Sequence, residues 1–281
     1  MDDSQCVLVD TGYSAHAQQT LALLMDKLQG RNLDVIINTH LHSDHCGGNA
    51  LLQNNFPFVQ TRIPPGQAKL VRNWDSQALG YIGTGQDCPV FSITDTLLPG
   101  DVFQIGAQTW QTYSAPGHDP HSLILFSPTC GICITADALW ENGFGVVFPE
   151  IEDSHGFSEV GATLDLIESL QPSTIFPGHG APFQDVQSAL KRARARLKRF
   201  MDSPKNHALY AAKVLVKFKL LELQKVKIQV FFEWADTATH LHNIHNTYFR
   251  DLSFLDWLNF ICEELMRSDV AKIDSGFLIN Q

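Results

Sequence analysis

The sequence has no apolar run long enough to cross a membrane, and its six cysteines are scattered through 281 residues in a way that does not form a disulfide framework. Basic residues are also scarce: 20 Lys and Arg stand against 30 Asp and Glu, which gives a formal net charge of −10. An acidic chain has no general attraction to nucleic acid or to an anionic membrane, so neither is an expected partner. The N-terminal residues MDDSQC lack the basic start of a signal peptide, and we expect a cytoplasmic protein.

The pattern of apolar residues divides the chain near residue 188. Before that point short apolar strands, such as CVLVD (6–10) and LDVIINT (33–39), alternate with helical stretches, which is typical of an α/β protein. After that point proline and glycine become rare and helical periodicity prevails. We therefore predict an α/β domain at residues 1–188 and a small helical C-terminal domain at residues 189–281.

The most informative stretch is THLHSDHCGG (39–48), which places three histidines and an aspartate within six positions. His40 and His42 are two residues apart, so in an extended chain their side chains point the same way and can bind one ion. Asp44 and His45 follow where the chain turns into a helix, and they can face a second ion beside the first. Imidazole and carboxylate groups suit zinc, and also iron or manganese.

Three more residues with metal-binding side chains end apolar strands further along the chain. His118 lies in SAPGHD after the strand at 109–114, Asp137 ends ICITAD, and His179 lies in FPGHG after STIF. Functional sites in layered α/β folds lie at the ends of strands, so we expect these three residues to join the first group.

In their order and spacing, THLHSDH, PGH, the aspartate of TAD and PGHG resemble the metallo-β-lactamase superfamily of binuclear hydrolases. VLVDTG is similar to that family's early strand, and the resemblance covers about residues 6–185. It implies an αβ/βα four-layer sandwich, in which two mixed sheets face each other, helices lie outside, and metals sit at one edge between the sheets. The family usually has another strand before VLVDTG, whereas only MDDSQC precedes it here, so the chain either starts late or lacks an edge strand.

The resemblance also implies a role for each of the seven residues. It assigns His40, His42 and His118 to a first metal, Asp44, His45 and His179 to a second, and Asp137 to a bridge between them. Two divalent metals about 3.5–4 Å apart would hold a hydroxide that attacks the carbonyl of a small acyl substrate. Asp44 would orient that hydroxide and take part in proton transfer.

Asp137 and Trp140 narrow the range of reactions that we expect within the superfamily. True class B lactamases lack the bridging carboxylate and are exported with a signal peptide, whereas hydroxyacylglutathione hydrolases and acyl-homoserine lactone lactonases keep the aspartate. Trp140 stands where the lactonases carry a tyrosine that assists the substrate carbonyl, and an indole N–H cannot pass on a proton. Trp140, Phe144 and Phe148 can instead line an apolar acyl pocket or belong to the core. We predict hydrolysis of a thioester, ester or lactone, with Trp140 as a candidate substrate contact.

Two other functions stay open. RNA-processing nucleases share the ligand set but need a basic surface for phosphates. The candidate surface, KRARARLKRF (191–200), has apolar residues at helical spacing and is better explained as an amphipathic helix with a solvated basic face. The non-catalytic alternative is a sensor that holds metal and binds an acyl ligand with little turnover, and the complete set of seven ligands argues against it.

Other motifs carry secondary expectations. Cys130 and Cys133 are expected at a strand–turn–strand hairpin rather than in a redox or zinc site, and Cys46 is expected to fill space. The histidines of HLHNIH (240–245) are expected on a solvated loop. The C-terminal region loosely resembles the winged-helix-like tail of some thioesterase-type relatives, which could close the pocket or form a homodimer.

Overall fold

The computed structural model describes residues 5–148 and 155–281. The chain divides into two compact units, the first of residues 1–75 and 88–201 and the second of residues 76–87 and 202–281. The question of a strand before VLVDTG falls on residues 1–4 and lies outside the described residues.

Helices and strands are numbered along the chain, over the described residues. The strands of the first unit are β1 (Val7–Val9), β2 (Val35–Ile37), β3 (Gln60–Ile63), β4 (Asp95–Thr96), β5 (Val102–Ile105), β6 (Gln108–Ser114), β7 (Leu123–Ser127), β8 (Ile132–Ala136) and β9 (Thr174–Pro177). Its helices are α1 (Ala17–Leu28), α2 (Ser43–Cys46), α3 (Asn49–Asn55), α4 (Ala68–Asn73), α6 (Gly156–Leu170) and α7 (Val186–Asp202). The second unit contains α5 (Tyr81–Thr84), α8 (Pro204–Leu223), β10 (Lys225–Lys227), α9 (Ile228–Thr237), α10 (Thr239–Tyr248), α11 (Phe254–Arg267), β11 (Ala271–Asp274) and β12 (Phe277–Asn280). None of these described helices combines the length and the apolar character needed to span a lipid bilayer.

Two sheets form the centre of the first unit. The first sheet has four parallel strands in the order β1-β2-β3-β4. The second has the order β5-β6-β7-β8-β9 and is antiparallel except for the parallel pair β8-β9. Because β6 and β8 are both antiparallel to β7, strands β6, β8 and β9 run the same way and end at the same edge. Each sheet therefore gathers the carboxyl ends of several strands at one edge.

The apolar core lies between the two sheets. Val35 and Ile37 of β2 pack with Leu125 of β7 in one cluster. Ile36, which points to the opposite face of β2, packs with Leu28 of α1 in a second cluster. Strand β2 is thus buried on both faces, as its continuous apolar sequence predicts. These layers confirm the predicted αβ/βα sandwich.

Helix α7 contains the basic run and belongs to the first unit. Its buried positions are Val186, Ala189, Leu190, Ala193, Leu197 and Phe200. At the border of this buried face Arg194 donates to Asp165 and Glu168 of α6, each at 2.7 Å. The predicted amphipathic helix is confirmed, and it lies within the first unit, which extends to Met201. The domain boundary near residue 188 stays a prediction. Apolar periodicity predicts that a helix has a buried face, and it does not identify the surface against which that face packs.

The second unit combines helices with a small antiparallel sheet in the order β10-β12-β11. Trp257 of α11 is fully buried, and the rings of His245, Phe249 and Phe254 surround it at centroid distances of 5.4–5.8 Å. The winged-helix-like character of this region stays a prediction. The observed short strand, helices and antiparallel hairpin are compatible with it.

The solvated loop expected for residues 240–245 is wrong, because these residues lie on α10. Leu241, Ile244 and His245 are buried, and His245 Nε2 lies 2.9 Å from the carbonyl oxygen of Leu252. The spacing of three and four residues between these buried positions is helical. The density of histidines in HLHNIH obscured that pattern.

The hairpin predicted around Cys130 and Cys133 is confirmed, since the two residues lie at the turn between β7 and β8 and at the start of β8. Both are free thiols, and Cys133 is fully buried.

The packing of α7 on the first unit gives a stability test. Leu190 is fully buried, so Leu190→Ala leaves a cavity and is expected to lower the free energy of unfolding by about 2–5 kcal/mol. Lys191→Ala, one residue along on the exposed side of the helix, is expected to change it by no more than about 0.5 kcal/mol. Urea denaturation followed by tryptophan fluorescence measures both. Equal small effects would contradict the packing described for this helix.

Candidate metal centre

Three imidazoles meet where β2 and β6 end. His40 Nε2 lies 3.1 Å from His42 Nδ1, which in turn lies 2.8 Å from His118 Nε2. His40 and His42 follow β2, and His118 follows β6. The two sheets are joined at this edge by a hydrogen bond of 2.9 Å from the N–H of Leu123 to the carbonyl oxygen of Thr39.

A second group lies beside the first. Asp44 and His45 stand on α2, and His179 follows β9. Asp44 Oδ2 lies 3.1 Å from His179 Nε2 and 3.8 Å from His45 Nε2. In each group the candidate ligand atoms lie within 4.8 Å of one another. The structure therefore brings six residues together in the two clusters into which the resemblance divided them.

Asp137 lies between the two clusters and faces both. Its Oδ2 lies 3.3 Å from His118 Nε2, and its Oδ1 lies 3.3 Å from His45 Nε2 and 3.6 Å from His179 Nε2. A register irregularity ends β8 just before it, and Ala136 has a positive φ of 46°. A left-handed alanine is an unusual conformation, and here it turns the chain so that the carboxylate enters the site.

Asp10, at the end of β1, sets the protonation of two imidazoles. Its Oδ2 lies 2.8 Å from His45 Nδ1 and accepts the Thr39 hydroxyl at 2.8 Å, while its Oδ1 accepts the Thr39 N–H at 2.8 Å. Because the Thr39 hydroxyl donates to Asp10, its oxygen is left to accept from His40 Nδ1, 3.1 Å away. Both imidazoles then carry a proton on Nδ1 and turn Nε2 toward the site.

The first cluster has the donor set that a divalent cation requires. His118 Nδ1 donates to the carbonyl oxygen of Val146, so His118 Nε2 also carries a lone pair. The lone pairs of His40 and His118 both approach His42 Nδ1, which can satisfy at most one of them with a proton. One cation bound to three neutral imidazoles satisfies all three nitrogens.

The pKa values of the first cluster agree with neutral imidazoles. Burial lowers the pKa of His42 to about 4 against the pull of nearby carboxylates. Burial, together with the charge of His42, also lowers the pKa of His118 to about 4. Burial and the neighbouring histidines hold the pKa of His40 well below its ordinary value. All three are therefore neutral at pH 7, which is the form that binds metal ions.

The second cluster has the opposite charge pattern. Burial alone would lower the pKa of His179, but its hydrogen bonds with Asp137 and Asp44 outweigh burial and raise it to about 9. Burial would likewise lower the pKa of His45, and the same two carboxylates raise it well above its ordinary value. Two imidazolium protons thus neutralise two buried carboxylates. A divalent cation can replace those protons without adding to the net charge of the cluster.

Trp140 is the residue predicted to contact substrate, and it lies beside the carboxylate of Asp137. Its Nε1 donates to Asp137 Oδ1 at 3.2 Å, and its ring packs edge-on against His179 with centroids 5.1 Å apart. Phe148 packs against the first cluster, whereas Phe144 is only 1% exposed and belongs to the core. The substrate contact of Trp140 stays a prediction, and its hydrogen bond to Asp137 is an additional finding.

Three residues of the site had no role in the sequence predictions. Asp10 ends VLVD, and its position at the end of a parallel strand was a usable signal. Gly178 stands in PGHG, and a Cβ there would lie 2.8 Å from His45 Cε1. Asp119 Oδ2 lies 3.9 Å from His42 Nε2, and burial raises the pKa of this carboxyl. Without coordinates Gly178 and Asp119 carry no signal that separates them from ordinary loop residues.

Cys46 fills space in α2, as predicted. It is fully buried, and its Sγ lies 3.3 Å from the carbonyl oxygen of His42. The groups of clustered ligand atoms found among the described residues do not include it.

Comparison with known proteins agrees with this geometry. The family described as the metallo-beta-lactamase superfamily matches residues 2–179, which is more than half of the chain. The chain belongs to this superfamily. The hydroxyacylglutathione hydrolase of Yersinia enterocolitica is 28% identical over 148 residues, which is 52% of this chain and 47% of that protein. The probable hydroxyacylglutathione hydrolase of Schizosaccharomyces pombe is 23% identical over 214 residues, which is 74% of this chain and 72% of that protein.

Among solved structures, a metallo-beta-lactamase family protein from Thermus thermophilus aligns with a TM-score of 0.57 at 16% identity, over 100% of this chain and 92% of that chain. This likeness concerns the fold. The chain spans about half the length of the Yersinia relative that it matches.

Asp10→Asn tests the orienting role of Asp10 in this superfamily member. Asparagine keeps the size of the side chain and tolerates the φ of 57° at this position, but it cannot accept the hydrogen bonds from both Thr39 and His45 in the same way. We expect zinc to bind about 10–100-fold more weakly, as measured by competition with a chromophoric chelator. Asp34→Asn is the matched control, because Asp34 accepts the N–H of Cys6 and lies outside the site. An unchanged zinc affinity in Asp10→Asn would exclude the role.

Trp140→Phe removes one hydrogen bond while keeping an aromatic ring beside His179. Without the indole N–H, Asp137 Oδ1 loses a neutral donor, and we expect the zinc affinity of the cluster of Asp44, His45 and His179 to change while that of the three-histidine cluster is kept. Isothermal titration with zinc separates the two events. The prediction fails if both binding events are unchanged and only the Michaelis constant for an acyl substrate rises, which would place Trp140 in the substrate pocket alone.

Proposed function

We propose that this chain is a metal-dependent hydrolase that cleaves a thioester, an ester or a lactone with two divalent cations. The position of Asp137 carries the proposal, because one carboxylate faces both the three-histidine cluster and the cluster of Asp44, His45 and His179. Membership of the superfamily supports it, and so do relatives named hydroxyacylglutathione hydrolase.

The proposed ligands are the seven residues predicted from the sequence. His40, His42 and His118 would hold one cation, Asp44, His45 and His179 would hold the other, and Asp137 would contact both. Zinc suits this mixture of imidazole and carboxylate, and iron and manganese suit it too. When bound, such cations supply Lewis acidity, which lowers the pKa of water and polarises a carbonyl oxygen.

The chain's own residues supply orientation and proton transfer. Asp44 is the proposed proton acceptor, since His179 at 3.1 Å orients one of its oxygens and the pKa of its carboxyl is lowered: burial would raise it, but His45 and His179 outweigh burial. Trp140 and Phe148 flank the clusters with aromatic surface, which favours an apolar group next to the scissile carbonyl.

The nuclease alternative is less well supported. Three arginines of the basic run already bind groups of the first unit: Arg194 forms ion pairs with α6, and Arg192 and Arg196 donate to backbone carbonyls at 2.8 and 3.0 Å. Arginines that already donate to groups of the protein have fewer N–H donors left for phosphates than the arginines of a solvated basic face. The acyl substrate, a homodimer and the cytoplasmic location stay predictions of the sequence.

A screen of acyl substrates on metal-loaded protein tests the function. We expect hydrolysis of at least one class among thioesters, esters and lactones, loss of activity on removal of metal with a chelator, and recovery when zinc, iron or manganese is restored. Asp44→Asn is expected to lower kcat by about 10²–10⁴-fold, because the proton acceptor is lost. Metal analysis of each variant shows whether a cation has been lost as well.

The other outcomes separate the alternatives. A thermal shift with acyl ligands and no turnover of any substrate would favour the sensor. Binding of structured RNA that weakens as salt rises would favour the nuclease. If His118→Ala kept both its metal content and its activity, the ligand assignment would be wrong.

A further inference from the structure

Two arginines of the basic run hold the segment that follows the bridging aspartate. We define residues 138–146 as the ligand loop. Arg192 Nε donates to the carbonyl oxygen of Glu141 at 2.8 Å, and Arg196 Nη1 donates to that of Phe144 at 3.0 Å. The two arginines are four residues apart on α7, so they lie on one side of the helix and contact consecutive parts of the ligand loop.

The other side of the ligand loop contacts the candidate metal ligands. The N–H of Gly145 donates to the carbonyl oxygen of Asp137 at 2.9 Å. The carbonyl of Val146 accepts the Nδ1 proton of His118, which determines the nitrogen that His118 presents to the first cluster. The indole of Trp140 donates to Asp137 Oδ1 at 3.2 Å. Within the described residues, the loop therefore lies between α7 and two of the seven candidate ligands.

The contact around Arg196 is close-fitting. Its guanidinium carbon lies 5.9 Å from the ring centroids of both Phe144 and Phe200. Gly143 has a φ of 128°, and a Cβ there would lie 2.7 Å from the guanidinium carbon of Arg196. A planar guanidinium can donate to a carbonyl while it packs against aromatic rings, which an ammonium group does less well. The sequence thus provides a glycine where the arginine passes and aromatic surface beside it.

We propose that Arg192 and Arg196 are positioning residues of the metal centre. They hold the ligand loop so that the Val146 carbonyl aims His118 and the Trp140 indole meets Asp137. The inference rests on the proposed metal-dependent function. It gives the arginines of the basic run a role in holding the ligand loop instead of a role in binding a polyanion. The arginines themselves bind no cation, because they act through the backbone of the loop.

The test compares Arg196→Gln with Arg194→Gln in the full chain. Both variants remove one guanidinium from α7, but Arg194 pairs with Asp165 and Glu168 of α6 and has no described hydrogen bond to the ligand loop. We expect Arg196→Gln to weaken zinc binding about 10-fold or more in a chelator competition, and Arg194→Gln to bind zinc as the unaltered protein does. Arg196→Lys is expected to recover part of the affinity, since lysine can still donate to the Phe144 carbonyl.

Cobalt loading adds a spectroscopic measurement. Rotation of His118 changes the ligand field of its cation, so the visible bands of cobalt-loaded Arg196→Gln are expected to differ from those of Arg194→Gln. A purely structural role would lower Tm in both variants and leave the cobalt bands and zinc affinities equal, and that result would overturn the proposal. If the unaltered protein bound no metal, the proposed function itself would fail, which is a different outcome from equal binding by the variants.

Discussion

The candidate metal centre depends on a single carboxylate that does not face it. Asp10 accepts the hydroxyl and the N–H of Thr39 and lies 2.8 Å from His45 Nδ1, so it ties the end of β1 to the chain leaving β2. Through Thr39 it also determines the tautomer of His40. If either imidazole carried its only proton on Nε2, the nitrogen that faces the site would have no lone pair with which to bind a cation. The hydrogen bonds behind the imidazoles therefore decide whether the inner side chains can act as metal ligands at all.

The fold explains why residues so far apart in sequence meet. Parallel strands deliver their carboxyl ends to the same edge, and β6, β8 and β9 do so even though an antiparallel strand lies among them. The apolar cluster between the sheets holds the two edges together, and a backbone hydrogen bond from Leu123 to Thr39 joins them at the site. Packing in the core thus fixes where His118, Asp137 and His179 lie relative to the THLHSDH motif, from which dozens of residues separate them in sequence.

Most of the site was predictable from sequence, since THLHSDH concentrates four metal-binding side chains within six positions and three more follow the ends of apolar strands. His118, Asp137 and His179 were found by that reasoning, and the structure brings them together with the THLHSDH motif. What sequence could not supply was conformation. Asp10 and Ala136 have positive φ values, although alanine has no preference for this conformation and aspartate only a modest one. Each of these backbone conformations turns a carboxylate at the end of a strand. The surface against which α7 packs could not be predicted from the sequence for a related reason. The charge pattern of the helix is the same whether its arginines face solvent or the backbone of a loop.

The burial of so many polar groups has a consequence for folding. Lone pairs of His40 and His118 approach each other around His42, and the carboxylates of the second cluster are neutralised by protons on His45 and His179. A protein that only needed a stable sandwich would place apolar side chains at this edge, because buried polar groups stabilise a fold less than well-packed hydrophobic ones. The apolar core of the sandwich offsets that loss. Such a site contributes to the stability of the fold chiefly when a cation binds it. Metal binding and folding of the first unit are therefore linked, because the cation favours the same arrangement of strands that creates its site.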